Sequence, residues 1–143
     1  MIHLEHSIVI KRPVEQVFAF VTKFENFPQW QVGMTQAQQV SAGAVGAGTQ
    51  IAVTRNFLNQ PVEGTVEVTD YQPNKTLAIK TAAGPVSMRL AYAFESGDGN
   101  TKIKIVGEID PQGFFKVAEP LVAREVKSQL ENSLANLKKI LEV

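Results

Sequence analysis

The residue best suited to chemistry is an arginine set in an otherwise apolar strand pattern. Arg55 alternates with apolar residues on one face of a predicted strand, Ile51, Val53 and Phe57. A guanidinium taken out of water without a partner is very costly, so Arg55 must meet a ligand, a protein group or water. It could bind a ligand carboxylate or carbonyl, or stabilise an enolate. Alternatively, its side chain could extend until the guanidinium reaches water, or it could pair with Glu119 or Glu125 of a later helix.

A tyrosine on another predicted strand is the second candidate. Tyr92 shares its face with Met88, Leu90 and Phe94. Its hydroxyl could donate to a ligand or act as a general acid, but a core tyrosine more often bonds a backbone carbonyl. Arg55 and Tyr92 are therefore the candidate catalytic residues, and the sequence shows no recognisable catalytic set around them.

The sequence gives little support for a metal site or for nucleophilic catalysis. His3 and His6 are the only histidines, and their spacing puts them on opposite faces of a strand, so they cannot share a metal. The chain has no cysteine, which excludes a thiol nucleophile, a disulfide framework and a cysteine metal site. The glycines of residues 43–48 do not match a phosphate-binding fingerprint. We expect neither a metal nor a cofactor.

Composition excludes other classes of protein. The chain has 143 residues, 44% hydrophobic and 20% charged, which predicts a single domain spanning residues 1–143. Its 14 basic and 14 acidic residues cancel and form no basic run, so nucleic-acid binding is not expected. The N-terminal residues do not have the pattern of a signal peptide, and no apolar stretch reaches the length that spans a membrane, so neither feature is expected. We expect a cytoplasmic monomer or weak homodimer without stable membrane insertion.

The hydrophobic periodicity changes along the chain from strand to helix. Alternation predicts a strand at residues 2–10, a weaker strand at 34–41 and a meander of hairpins from 49 to 110. Helical spacing predicts a short helix at 13–22, a second helical turn near 24–30 and a long amphipathic helix from about 114 to 141. Pro120, near the start of the long helix, either kinks it or marks its true first turn. The strands have one apolar face each, so the long helix is expected to cover that face.

Pairing apolar residues across the hairpins predicts a register for the sheet. A loop at Asn59 and Gln60 places Phe57 opposite Val62 and Arg55 opposite Gly64. The following hairpins are predicted to pair three further sets of residues, namely Ile79 with Met88, Tyr92 with Ile105, and Leu90 with Gly107.

Several short motifs, taken in order, resemble a known superfamily over essentially the whole chain. They are SIVI at residues 7–10, RPVEQVF at 12–18, FENFPQW at 24–30, VGAGT at 45–49, VEVTDYQP at 66–73, EPLV at 119–122 and LANLK at 134–138. In this order the chain resembles the START-like superfamily, also called SRPBCC or helix-grip proteins, and within it the polyketide cyclase/dehydrase-like group.

The resemblance implies an α+β helix-grip fold. Its seven-stranded antiparallel curved sheet wraps around a long C-terminal helix, and two short helices follow the first strand. It also implies an internal cavity for a lipid, polyketide or aromatic metabolite, but it leaves the chemistry open. The residues predicted to line the cavity are Trp30, Met34, Val53, Arg55, Phe57, Val66, Ile79, Met88, Leu90, Tyr92, Ile105, Phe114, Phe115 and Leu121.

Three functions are compatible with these observations. The first is binding or carriage of a hydrophobic small molecule between the sheet and the C-terminal helix, without catalysis. The second is a polyketide aromatase/cyclase-type enzyme that uses Arg55 and Tyr92. The third is an interaction protein resembling a chaperone cofactor, which requires a contiguous exposed apolar patch in place of an enclosed cavity.

Overall fold

The computed structural model describes residues 1–111 and 113–143, without the side chains of residues 114 and 115. The strands are β1 (Ile2–Ile10), β2 (Met34–Gln39), β3 (Gln50–Phe57), β4 (Gln60–Gln72), β5 (Thr76–Ala83), β6 (Val86–Gly97) and β7 (Asn100–Pro111). The helices are α1 (Val14–Thr22), α2 (Phe27–Trp30), α3 (Phe114–Val117) and α4 (Glu119–Leu141), with a 3₁₀ turn at Phe24–Asn26.

The strands form one antiparallel sheet of seven strands in the order β1-β7-β6-β5-β4-β3-β2. Consecutive strands pair as hairpins from β2 to β7, and β1 closes the far edge against β7. The α1–α2 segment therefore carries the chain from one edge of the sheet to the other. This architecture confirms the predicted fold class.

Only one face of the sheet is buried. Along β7, Ile103, Ile105 and Ile109 are buried, whereas the alternate residues Lys102 and Lys104 are exposed. The buried face packs against α4 and the short helices, whose own apolar residues complete the core. Burial of this apolar surface is the main stabilising contribution to the fold.

The C-terminal helical region differs from the prediction near its start. The helix predicted from about 114 to 141 divides at Ala118 into α3 and α4, so of the two roles open to Pro120, a kink or the first turn, the structure has the second. Pro120 lies in the first turn of α4, where its missing N–H costs nothing, so the long helix begins there. Two residues of the predicted apolar stripe face solvent, since Val117 is 88% exposed and Leu121 is 51% exposed.

The predicted register of the β3–β4 hairpin is wrong by two residues. Phe57 pairs with Gln60, Arg55 with Val62 and Val53 with Gly64. The loop consists of Leu58 and Asn59, which have φ angles of 50° and 62°, as a two-residue hairpin turn with two positive φ values requires. A leucine seldom adopts this conformation, so the sequence does not indicate it as a turn residue.

The predicted register of the β5–β6 hairpin is also wrong by two residues. Ile79 pairs with Leu90 instead of Met88, because the turn closes directly at Gly84 and Pro85. The β6–β7 hairpin was predicted correctly, since Tyr92 lies opposite Ile105 and Leu90 opposite Gly107. A shift of two residues keeps each side chain on its face, which explains why the inward residues were identified despite the wrong pairing.

Gly107 leaves space for its neighbours on the inward face. A Cβ atom at this position would lie 2.7 Å from the backbone oxygen of Arg89 and would collide with the Leu90 side chain. Neither group can move without disturbing the β6–β7 pairing or the cavity wall to which Leu90 contributes. A glycine is therefore required here for close packing.

We expect Gly107→Ala to lower the free energy of unfolding by about 1–3 kcal/mol, the usual effect of overpacking a core. Urea denaturation measures this change. Gly97→Ala is the matched control, since a Cβ atom there meets no atom within 4 Å and the position has no positive φ. Equal stability of the two variants would contradict the packing role of Gly107.

Candidate ligand-binding site

A cavity of about 170 Å³ lies between the sheet, α2 and α4. Most of its wall is apolar and comes from β3, β4, β5 and β6 on one side and from α4 on the other. Glu63, Gly84 and Pro85 also line it and are exposed, so its mouth lies where the β5–β6 turn meets β4. A space of this size suits a compact apolar body, since a cavity of about 150 Å³ accepts benzene.

The structure brings most of the predicted lining residues together. Those that line the cavity are Trp30, Met34, Val53, Arg55, Phe57, Val66, Ile79, Met88, Leu90 and Tyr92. Several of them, including Val53, Met88 and Leu90, are only partly buried even though they face inward. Because they project from the concave face of the sheet, their remaining exposed surface borders the cavity.

Two predicted lining residues do not reach the cavity. Ile105 is completely buried in the main core. Leu121 turns toward solvent, and Val122, the next residue of the helix, takes the cavity position. One residue along a helix rotates the side chain by about 100°, enough to exchange the buried and exposed directions. The predictions for the Phe114 and Phe115 side chains lie outside the described residues.

Within the described residues, Arg55 is held by two glutamines and by no carboxylate. Its Nη1 donates to Gln129 Oε1 at 3.1 Å, and its Nη2 donates to Gln31 Oε1 at 2.6 Å. The ion pair with Glu119 or Glu125, one of the alternatives left open by the sequence, is therefore not formed by the described residues. Glu125 accepts a hydrogen bond of 3.3 Å from Gln129 Nε2 instead, and so reaches Arg55 only through the amide of Gln129.

Electrostatics at Arg55 reflect this environment. Burial lowers the pKa of Arg55, while interaction with Tyr92 partly opposes the change. The guanidinium nevertheless stays protonated at neutral pH, because the pKa of an arginine lies far above 7. The cavity wall thus carries a full positive charge whose direct partners are neutral.

The polar residues that organise this wall were missed at the sequence level. Gln129 and Ser133, one helical turn apart on α4, are both buried. Ser133 Oγ accepts a hydrogen bond of 2.9 Å from the backbone N–H of Val32, and Gln129 bonds Arg55. The only signal was a pair of polar residues at helical spacing beside the apolar stripe, which usually marks a solvent-facing edge.

The short helices place two of the lining side chains. Phe27 contacts Phe24 and Trp30 edge to face, with ring centroids 5.3 and 5.8 Å apart. These contacts fix Trp30 in the cavity wall, and Asn136 Nδ2 bonds its backbone oxygen at 3.4 Å. The indole Nε1 of Trp30 is buried and has no hydrogen-bond partner in the described part of the chain.

Tyr92 differs from the common core tyrosine. The predicted hydrogen bond to a backbone carbonyl is not found, since its hydroxyl has no partner within residues 1–111 and 113–143. Burial raises the pKa of Tyr92 to about 12, although the Arg55 charge opposes this shift. Tyr92 is therefore neutral at physiological pH and can donate its hydroxyl proton in a hydrogen bond.

A second depression, of about 420 Å³, lies outside the sheet–helix interior between α1 and the β4–β5 turn. It is wider than the internal cavity but open to solvent, and charged residues such as Glu15, Lys23 and Glu25 border it. Within the described chain, no group of three or more His, Asp or Glu side chains is placed to hold a metal ion. The internal cavity is thus the stronger candidate site.

The fold and the cavity define a helix-grip, ligand-binding class of protein, and comparison with known proteins identifies the family. The family model described as polyketide cyclase/dehydrase and lipid transport matches residues 1–142. The chain therefore belongs to this family, which confirms the resemblance found in the sequence. No curated protein sequence matches the chain.

Solved structures share the fold at low sequence identity. A protein of Thermus thermophilus is 14% identical, with a TM-score of 0.84 over 97% of this chain and 96% of that one. A START superfamily protein of Mycobacterium smegmatis is 15% identical, with a TM-score of 0.84 over 98% and 97%. The Zhui aromatase/cyclase of Streptomyces sp. R1128 is 17% identical, with a TM-score of 0.72 over 97% and 90%.

None of the described helices combines the length and the apolarity that crossing a bilayer requires.

Tyr92 makes a specific contribution to the pH dependence of stability. Its folded-state pKa, about 12, lies above its ordinary value of 10.0. The folded state therefore holds the proton more tightly, so the contribution is complete below pH 10 and is lost between pH 10 and 12. We expect the free energy of unfolding of the wild type to fall relative to that of Tyr92→Phe, by up to about 1.4 kcal/mol per pH unit.

Urea denaturation of both proteins at several pH values between 9 and 12 measures this difference. Comparing them removes the titration of all other groups, which the two proteins share. Parallel pH profiles would contradict a buried, neutral Tyr92.

Proposed function

We propose that this protein binds or carries a compact hydrophobic small molecule in the cavity between the sheet and α4. The observation that carries the proposal is an interior cavity that is apolar over most of its wall and reaches the surface at the β5–β6 turn. A core without such a function is normally packed to close to crystal density, and empty space lined by partly exposed apolar side chains destabilises it.

The ligand size follows from the cavity. Sites for drug-sized ligands usually measure about 300–1,000 Å³. The cavity of about 170 Å³ is smaller, so the proposal concerns a body of about one ring or a short aliphatic chain, with any longer part extending through the mouth. Family membership supports this function, because the family description includes lipid transport.

An aromatase/cyclase-type activity is the second candidate. The observation in its favour is that the Tyr92 hydroxyl is not bonded within the described chain and lies in the same cavity wall as Arg55. In this hypothesis Arg55 stabilises a developing enolate and Tyr92 supplies a proton. Cyclisation of a poly-β-ketone substrate that is lost in Tyr92→Phe, without loss of binding, would favour the enzyme over the carrier.

The interaction-protein hypothesis has less support. The exposed large apolar residues of the described chain are Met1, Val9, Val40, Val106, Val117, Leu121 and Val143. That hypothesis requires an exposed apolar patch in place of an enclosed cavity, whereas the apolar cavity between the sheet and α4 favours binding inside the fold. The cytoplasmic location and the monomeric or weakly dimeric state stay predictions.

A neutral hydrocarbon tests the proposed function without assuming any polar recognition. We expect n-butylbenzene to bind the wild type and to change the fluorescence of Trp30, which is the only tryptophan of the chain and lines the cavity. Excitation at a wavelength absorbed by indole but not by a single benzene ring isolates the Trp30 signal. Methyl NMR shifts of Met34, Met88 and Leu90 provide an independent measurement of the same site.

Filling the cavity should abolish this binding. Val53→Phe adds a ring on the cavity face of β3, while Thr54→Phe adds the same ring on the opposite face. We expect the affinity to drop at least about tenfold in Val53→Phe and to stay unchanged in Thr54→Phe, because only the former displaces the ligand. Thermal unfolding confirms that both variants are folded. Unchanged affinity in folded Val53→Phe, or no binding to the wild type, would contradict the proposal.

A further inference from the structure

We infer that the cavity selects a hydrophobic ligand bearing an anionic oxygen, such as a carboxylate, which Arg55 receives. This inference rests on the proposed function and specifies the chemical class of the ligand at that same site. It depends on how the positive charge of Arg55 is held in the wall.

The two charged side chains that border the cavity differ in their exposure to water. Among the described lining residues, only Arg55 and Glu63 are charged. Glu63 is exposed at the mouth, where water screens its charge, whereas Arg55 is partly buried in the wall. Tyr92, the remaining titratable group of the wall, is neutral at physiological pH. The interior of the cavity therefore carries one positive charge without a neutralising partner.

The partners of Arg55 position its charge but do not cancel it. Gln31 and Gln129 each provide an amide oxygen to the guanidinium. Glu125 fixes the orientation of Gln129 by accepting from its Nε2, so the Gln129 oxygen is directed at Arg55. A guanidinium has five N–H groups, and these two hydrogen bonds occupy two of them, which leaves three without a partner in the described chain.

A glutamate at position 31 or 129 would be nearly isosteric and would neutralise the charge. Glutamine at both positions leaves the cation available, and a buried charge that is merely structural gains more from a carboxylate than from an amide. A ligand anion would neutralise the guanidinium and accept hydrogen bonds from its unused N–H groups. Tyr92 can donate a further hydrogen bond from the same wall, since its hydroxyl has no partner within the described residues.

The test compares three ligands that share one apolar body. They are 4-phenylbutyrate, which is ionised at pH 7.5, its neutral amide 4-phenylbutanamide, and n-butylbenzene, which has no polar group. Trp30 fluorescence and titration calorimetry give the dissociation constants. We expect the carboxylate to bind about 10–100-fold more tightly than the amide, the range given by a hydrogen bond to a charged group.

A glutamate placed beside Arg55 should remove this preference. Gln31→Glu puts a carboxylate 2.6 Å from Nη2, at the place of the present amide oxygen, and neutralises the guanidinium. We expect the preference for the carboxylate to fall to about one or to reverse. Gln29→Glu is the matched control, because it adds the same charge two residues away on an exposed side chain outside the cavity, and the preference should persist.

The outcomes separate this inference from the proposed function. A wild type that binds the amide as tightly as the carboxylate, or a Gln31→Glu variant that keeps the preference, overturns the inference. If n-butylbenzene binds in either case, the proposed function stands. If none of the three ligands binds, both fail. The preference is a ratio of two affinities within one variant, so a general change of the cavity alters the affinities for all three ligands together, whereas a lost preference supports recognition by charge.

Discussion

The accommodation of one guanidinium inside an apolar wall constrains much of the surrounding structure. Arg55 lies on the concave face of β3, where the adjacent inward residues are apolar. Its charge requires acceptors from two other segments, Gln31 after α2 and Gln129 of α4. Because these bonds connect β3, the loop before β2 and the long helix, they hold the three parts of the cavity wall at a defined separation.

The same region of α4 carries further polar contacts. Ser133 binds the backbone of Val32, and Asn136 binds the backbone oxygen of Trp30. The loop before β2 thus meets a polar part of the helix instead of an apolar one. Buried polar groups of this kind contribute little net stability but strongly penalise alternative arrangements in which they lose their partners. They favour one placement of the helix over the sheet.

The sequence predicted the faces of the strands better than their pairing. Alternation of apolar and polar residues identifies the inward side chains, and that information survives a shift of two residues. The pairing of β3 with β4 depends on Leu58 in a positive-φ conformation, which a leucine seldom adopts and no local pattern indicates. The long helix was likewise predicted from its periodicity, but its division at Ala118 depends on the position of Pro120 in the first turn.

The candidate site shows a similar division between local and long-range information. Arg55 was identified because a charge breaks an apolar alternation, which is a local pattern. Its partners were not, because glutamines at positions 31 and 129 have meaning only once the fold brings them to the same guanidinium. A glutamate partner was one of the alternatives left open by the sequence, since charge pairing is the usual solution for a buried cation. Neutral amides stand where a carboxylate would neutralise Arg55, so the protein keeps this charge available. Only the three-dimensional arrangement distinguishes a neutralised charge from an available one.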